Sequence, residues 1–294
     1  MQSNGAILPI WRSMLFVPGN NKRFINNAHT RGADAIILDL EDSVPVDQKS
    51  EARKFIVNSF NSVSQSGTDV MVRINDSLRL AVRDLEAIVI PGLTAIVVPK
   101  ATSSCKLTRL SDLVSELEIE QNMPVGGISF IAQIETLDAM LVLDNIASVP
   151  RVVGMTLGTE DFSAAAGMAS VPEALMGPSQ SLLFAARRHQ CIPYGFVGSI
   201  ADYSDLEKFK TVISQARQLG FCGAMCVHPS QVSVINEGYL PTVCEIELAN
   251  KISIGFAESV AKGQGAFSID GKMIDKPVLD KALQQLEYVS RFEK

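Results

Sequence analysis

"SMLFVPGNNKRF", residues 13–24, decides between two folds. It starts as a short apolar strand and breaks at Pro18-Gly19. An open, doubly wound α/β sheet usually places a glycine-rich G-x-G-x-x-G turn after its first strand. This stretch has a single glycine there, followed by Asn20, Asn21, Lys22 and Arg23. Seven further segments resemble the first: 35–41, 70–75, 95–100, 128–135, 152–158, 192–198 and 223–229. Each is a short apolar or β-branched run bounded by turn residues, as strands are. Between them lie helix-like stretches. Residues 76–89 and 205–220 both carry apolar side chains at helical spacing, and the second opens on Asp205 and closes on Gly220. Strands alternating with helices imply a parallel sheet, and strands that are apolar on both faces are covered on both. Eight units of roughly 30 residues match a closed (β/α)8 TIM barrel of about 250 residues. The sequence therefore predicts an α/β fold, with a barrel over residues 12–245. A helical extension or lid is expected over 246–294. After the eighth strand, residues 236–267 read as one long helix. A hairpin-like turn and a terminal amphipathic helix follow.

The 294-residue chain is 47% hydrophobic and 20% charged, a globular composition. Its net charge of −6 argues against a nucleic-acid partner, which needs a basic footprint. No apolar run approaches the ~18 residues of a membrane span, and residues 1–16 do not read as a signal peptide. The five cysteines are scattered, and Cys222 and Cys226 have only His228 nearby, so reduced thiols fit better than zinc. A cytoplasmic or organelle-matrix setting follows as the expectation.

Chemistry in such a barrel sits at the C-terminal ends of the strands. The strand ends here carry Asp39, Glu41 and Asp42, then Arg73 and Asn75, Lys100, Gln133 and Glu135, Glu160 and Asp161, and His228. The strand bodies stay apolar. Glu135 and the Glu160/Asp161 pair come from neighbouring strands and can converge. Carboxylates held together out of water repel unless a cation neutralises them, and Mg²⁺ takes one or two such ligands. The alternative is that the acids of 152–165, "VVGMTLGTEDFSAA", cap the following helix. Glu160 suits the cap and Asp161 the ligand. Arg73, between Val72 and Ile74, needs an acid or a ligand because an unpaired buried charge is costly. Either it forms a structural ion pair with Glu41 or Asp42, or it receives a substrate oxygen. His228 reads as structural or functional. Arg12, Lys22, Arg23, Lys49 and Arg53 form either a solvated face or a patch for a phosphate-rich ligand.

The stretches "RSMLFVPGNNKRF", "DAIILDLEDSVPVDQKSEAR", "VRIN", "VVPKA", "IAQIET", "GTEDF", "VHPSQV" and "GAFSIDGKMIDKPV" occur in this order. In that combination the chain resembles the citrate lyase β-subunit-like family over residues 12–285. The family includes malyl-CoA, citramalyl-CoA and citryl-CoA lyases and is related to the metal-dependent HpcH/HpaI aldolases. The resemblance implies a Mg²⁺-dependent carbon–carbon lyase acting on a β-hydroxyacyl-CoA thioester. It gives an acyl-CoA and a 2-oxo acid. Alternatives within the resemblance are a citrate lyase β subunit using an acyl-carrier-protein thioester, and an aldolase acting on free hydroxy-oxo acids. A barrel serving only as a binding protein is a further alternative, which the intact set of site residues argues against. By position, Glu135 and Asp161 look like the metal ligands, and Arg73 like the group beside the thioester carbonyl. Asp275 looks like a catalytic carboxylate that relatives often place over a neighbouring subunit's site. Phe16, Arg23, Lys49, Arg53, Arg73, His228 and Pro229 fall where relatives contact coenzyme A. The resemblance also implies a homotrimer or hexamer. Two loops depart from the family pattern: 192–205, with Tyr194, Gly198 and Ser199, and "ATSSCK", 101–106, which carries no acid. They leave the metal and the mechanism intact and bear on the acyl group.

Overall fold

The structure is a computed structural model that describes residues 10–261 and 263–292. The stretch read for a leader lies largely outside them, at residues 1–9. The chain divides into two compact units, Met1–Tyr239 and Leu240–Lys294.

The first unit alternates strand and helix. It runs β1 (Ser13–Pro18), α1 (Lys22–Asn26), β2 (Ala35–Asp39), α2 (Lys49–Val63), β3 (Asp69–Arg73) and α3 (Leu78–Ile88). Then come β4 (Leu93–Val98), α4 (Ser104–Glu120), β5 (Ser129–Ile134), the short α5 (Leu137–Met140) and α6 (Leu143–Ala147). The unit closes with β6 (Val152–Leu157), α7 (Thr159–Ala166), α8 (Pro172–Arg188), β7 (Ile192–Tyr194), α9 (Leu206–Leu219), β8 (Ala224–Cys226) and α10 (Ser230–Gly238). All eight strands are parallel, in the order β7-β6-β5-β4-β3-β2-β1-β8. The two ends of that sheet meet through the Gly195 amide donating to the Gly223 carbonyl at 2.8 Å and Cys222 to Pro193 at 3.0 Å. These few bonds all but close the sheet into the expected (β/α)8 barrel.

The predicted helix boundaries at 205–220 rest on visible caps. Asp205 accepts from the Lys208 amide, and Gly220 takes a left-handed φ of +111°. Glycine adopts that conformation at no steric cost and so ends helices. The single helix expected over 236–267 is instead two. α10 ends at Gly238, and a new helix begins at Val243. Pro241 explains the break, because it has no N–H and drives the residue before it out of helical geometry.

Two apolar layers hold the unit. Ile36, Leu38, Val70, Val72, Phe130 and their neighbours point outward against the helices. Met14, Ala35, Ile37, Met71, Ala95, Val97 and Ile131 fill the barrel interior. Successive strand residues face opposite sides, so the inward set continues at every second residue. On β2 it runs Ala35, Ile37, Asp39; on β3, Met71, Arg73; on β5, Ile131, Gln133, Glu135. On these strands the inward set turns polar towards the C-terminal end; at the opposite end Asp69, the first residue of β3, accepts from the Trp11 indole at 2.6 Å.

A buried ion pair ties α4 to β6. Arg151 donates to both oxygens of Glu118 at 2.9 and 3.0 Å, and the Gly126 and Ile128 amides complete the carboxylate's partners. Burial works against the charged form of Glu118, but the Arg151 and amide hydrogen bonds outweigh it and its pKa is lowered. Removing one partner of such a pair leaves a stranded charge. Glu118→Gln is expected to lower unfolding free energy by about 3–5 kcal/mol in urea melts. The sign of the pH dependence follows. The folded carboxylate ionises below its ordinary 4.5, so its contribution is full above that pH and is lost as pH falls further. The gap between wild type and variant should narrow in acid.

The second unit comprises α11 (Val243–Ala261), the antiparallel pair β9 (Phe267–Ile269) and β10 (Lys272–Ile274), and α12 (Lys276–Ser290). Ala249, Ile252, Ile274 and Ala282 form its own small core. No helix among the described residues is long and apolar enough to cross a membrane.

Candidate active site at the C-terminal end of the barrel

Asp39 and Arg73 are register partners on the adjacent strands β2 and β3. Both point inward and both are buried, 2% and 9% exposed. The guanidinium forks onto the carboxylate, with Nε to Oδ1 at 2.7 Å and Nη2 to Oδ2 at 2.8 Å. Its Nη1 lies 3.1 Å from Glu41 and 3.6 Å from Asp42. One face of the guanidinium rests over the Phe16 ring at 4.8 Å, a favourable cation–π contact. The ion pair read from the sequence named Glu41 or Asp42. Both are present, but Asp39 makes the bidentate contact, and its signal was its place in the inward period of β2. Burial alone would raise the pKa of Asp39, yet the hydrogen bonds and charge of Arg73 lower it. Ser43 donates to the same carboxylate through its amide and hydroxyl.

Glu135 follows β5 and is 2% exposed. Its Oε2 accepts from the Lys100 amide at 2.9 Å and its Oε1 from Gln133 Nε2 at 2.6 Å. Lys100 adopts a positive φ of 44° to aim that amide, a conformation non-glycine residues rarely take. Burial, followed by the charge of Asp161, raises the pKa of Glu135 to about 7 despite the opposing amide bond. Glu41 is pushed to about 8, first by burial and then, against the pull of Arg73, by Asp42 and Glu135. Its Oε2 and the Oε1 of Gln133 are buried without hydrogen-bond partners.

Glu160 and Asp161 both stand in the first turn of α7, where the helix dipole favours acids. Neither side chain caps that helix. Gly158 occupies the cap position without a side chain. Glu160 instead accepts from Ser199 Oγ at 2.6 Å and Ser170 Oγ at 3.1 Å. Gly158 is required by its neighbour: a Cβ there would lie 2.5 Å from Glu135 Cγ and 2.6 Å from its Oε1. Its φ of −80° suits any residue, so the constraint is steric. Gly158→Ala should cost about 1–3 kcal/mol of stability through overpacking, read from urea midpoints, and displace Glu135.

Phe16, Asp39, Asp42, Arg73, Gln133 and Asp161 are among the residues lining one cavity of about 450 Å³. That volume suits a small organic ligand. Glu135 touches its wall through Gln133 and Gly158. A donor set of two carboxylates on adjacent elements, with orphaned buried oxygens near by, fits a hard divalent ion that keeps water or substrate in its other positions. Among the described residues, no three acidic, histidine or cysteine side chains converge to hold an ion unaided.

The basic residues do not form one patch. Arg12 pairs with Asp34 at the start of β1, the opposite end of the barrel. Lys49 is buried, donating to the Leu40 and Glu41 carbonyls at 2.7 Å each, and Arg53 pairs with buried Asp84 at 2.6 Å. Arg23 is exposed on α1, after β1. His228 and Pro229 are exposed beyond β8, where Tyr203 stacks on the imidazole at 4.6 Å. Asp275 belongs to the second unit, where its Oδ1 accepts from Val278 and caps α12.

The chain is 31% identical to the citrate lyase subunit beta of Leuconostoc mesenteroides subsp. cremoris, over 92% of this chain and 90% of that one. It is 32% identical to a (3S)-malyl-CoA thioesterase of Cereibacter sphaeroides, over 94% and 93%. The crystal structure of protein CitE from Mycobacterium tuberculosis, in complex with magnesium, acetoacetate and coenzyme A, superimposes with a TM-score of 0.74 at 27% identity. That match covers 95% of this chain and 97% of CitE. The family model described as HpcH/HpaI aldolase/citrate lyase matches residues 12–229, the stretch that builds the barrel and its inward polar ring, and the chain belongs to that family.

Proposed function

We propose that the protein is a Mg²⁺-dependent lyase that cleaves the carbon–carbon bond of a β-hydroxyacyl thioester, releasing an acyl thioester and a 2-oxo acid. The observation that carries the reading is the pairing of two features on one cavity. A guanidinium is locked in place by Asp39, and beside it the buried Glu135 carboxylate stands near enough to Asp161 that the latter's charge raises its pKa. Family membership and the magnesium and coenzyme A bound by CitE support it.

Glu135 and Asp161 hold the ion. When bound, Mg²⁺ would supply Lewis-acid polarisation of the substrate oxygens beside these two carboxylates. Arg73 offers its remaining N–H groups to the thioester oxygen, where enolate charge develops as the bond breaks. Donors fixed in advance stabilise such charge without reorganising. Asp39 and Phe16 keep the guanidinium from swinging away. By the resemblance, Asp275 is the carboxylate that would exchange a proton with the enolate carbon in a neighbouring subunit's site. Coenzyme A lies over Phe16, Arg23 and the His228-Pro229 loop. Lys49 and Arg53, read with them from the sequence, are committed to the Leu40 and Glu41 carbonyls and to Asp84.

The test is a product analysis. Malyl-, citramalyl- and citryl-CoA are incubated with protein and Mg²⁺ or chelator, and acyl-CoA and oxo acid are separated by chromatography. Metal-dependent appearance of both products supports the lyase. Free coenzyme A and an intact hydroxy acid would mean hydrolysis instead. Relatives named as a subunit of citrate lyase favour a second reading, in which the chain acts on a carrier-protein thioester inside a larger enzyme. Turnover that appears only with such a carrier would establish it.

A further inference from the structure

Residues 101–106 are one of the two stretches that depart from the family pattern, and none of them lines the active-site cavity. Thr102, Ser103, Cys105 and Lys106 line a second cavity instead, of about 610 Å³. It lies beside the N-terminal halves of α3 and α4 and shares no lining residue with the first. We propose that this second cavity binds a small organic phosphate monoester. The site stands whether or not the lyase reading does.

Its charges set the sign of the ligand. Lys106 is already placed. Its ammonium donates to Asp76 Oδ1 at 2.6 Å and to the Lys100 and Pro99 carbonyls at 2.9 and 3.2 Å, which occupies every proton it has. The same pairing takes up Asp76, the acid of the lining. Two cations remain. Arg109 is exposed on α4 and, among the described residues, makes no ion pair or hydrogen bond. The Lys100 ammonium lies 3.7 Å from Glu41, outside hydrogen-bond reach.

The hydroxyls agree with the charges. Ser103 Oγ accepts from the Lys106 amide at 3.2 Å, and Thr136 Oγ1 from the Ala139 amide at 3.3 Å. A hydroxyl that accepts from a backbone amide keeps its own O–H to give. Among the described residues, neither proton, nor that of Thr102, goes to another protein group. The side chains thus offer donors, while their carboxylate is already paired. A phosphate monoester brings three strong acceptor oxygens and nearly two negative charges at neutral pH. A carboxylate brings half that charge. Leu78, Ala81 and Leu110 supply apolar lining, which stabilises an organic group as it leaves water. The volume falls within the range of small-molecule sites. Lys100 borders both sites, since its amide donates to Glu135 at 2.9 Å. A ligand held by its ammonium therefore sits one residue away from the active-site carboxylate.

Phenyl phosphate is the probe, titrated into the full chain without added metal and followed by calorimetry. Phenol, benzoate and inorganic phosphate are the comparisons. Phenyl phosphate should bind at least about tenfold more tightly than phenol or benzoate, the scale of one hydrogen bond to a charged group. It should also exceed inorganic phosphate, which has no ring to rest on Leu78 and Leu110. Cys105, exposed in the lining, reports the place. With the probe at roughly ten times its dissociation constant, alkylation of Cys105 by iodoacetamide should slow about tenfold. Cys244, exposed in the second unit, should react as before. Arg109→Glu should weaken binding by at least about tenfold. Thr102→Glu repeats that test should the first variant fail to fold. Arg23→Glu, in the region proposed for coenzyme A, should leave binding intact. Absent binding of phenyl phosphate, benzoate binding as tightly, or an unprotected Cys105 would each overturn the proposal. So would an affinity kept in folded Arg109→Glu or lost in folded Arg23→Glu.

Discussion

Arg73→Ala should lower kcat by about 10²–10³-fold, the range seen when one donor to a developing oxyanion is removed. The alanine variant also strands Asp39, buried and without its bidentate partner. A loss of about 3–5 kcal/mol in stability is expected with it. Arg73→Lys separates the two effects. Lysine keeps the positive charge beside Asp39 but lacks the planar fork. Its urea midpoint should stay near wild type while kcat still falls. Full activity in a folded lysine variant would mean that charge alone suffices at this position. It would remove the argument from the fork.

Glu135→Gln and Asp161→Asn should each reduce turnover by on the order of 10³-fold or more. Metal polarisation supplies several kcal/mol, and each 1.36 kcal/mol is a factor of ten. A readout independent of turnover accompanies this. Without metal, folded Glu135 holds its proton up to about 7, whereas the unfolded chain releases it near 4.5. The folded state thus binds that proton more tightly, and stability declines as pH rises across the window between them. At pH 8 the metal-free wild type carries an uncompensated buried charge, and Mg²⁺ should raise its Tm. The variants should show a much smaller Mg²⁺ shift, and Glu135→Gln should melt no lower than metal-free wild type. A Tm of wild type indifferent to Mg²⁺ would count against the assigned ligands.

Much of this was open to a reader of the sequence. The strands were legible because their apolar runs end at Gly, Pro and Asn. Asp205 and Gly220 announced α9 with a cap at each end. The gathering of polar residues at one end of the barrel followed from strand direction alone. What the sequence withheld was pairing. That Asp39 faces Arg73 depends on the register between β2 and β3, which apolar runs do not specify. The steric need for Gly158 depends on a side chain from the next strand. Lys49 and Arg53 looked like surface cations because their partners, two carbonyls and Asp84, are brought to them only by folding. The break at Pro241 was in plain view and was outweighed by the run of helix-forming residues on either side.

The seam between β7 and β8 has a consequence for motion. Every other neighbouring pair of strands is joined along a ladder, while this one is held by the Gly195 and Cys222 amides. Local opening begins where the fewest backbone bonds must break. The barrel therefore has one meridian along which it can breathe. That meridian borders the wall carrying Phe196 and Ile200, across the sheet order from the strands that fix Arg73 and Glu135. A ligand can be admitted or let go by yielding on the apolar side, with the charged side kept still.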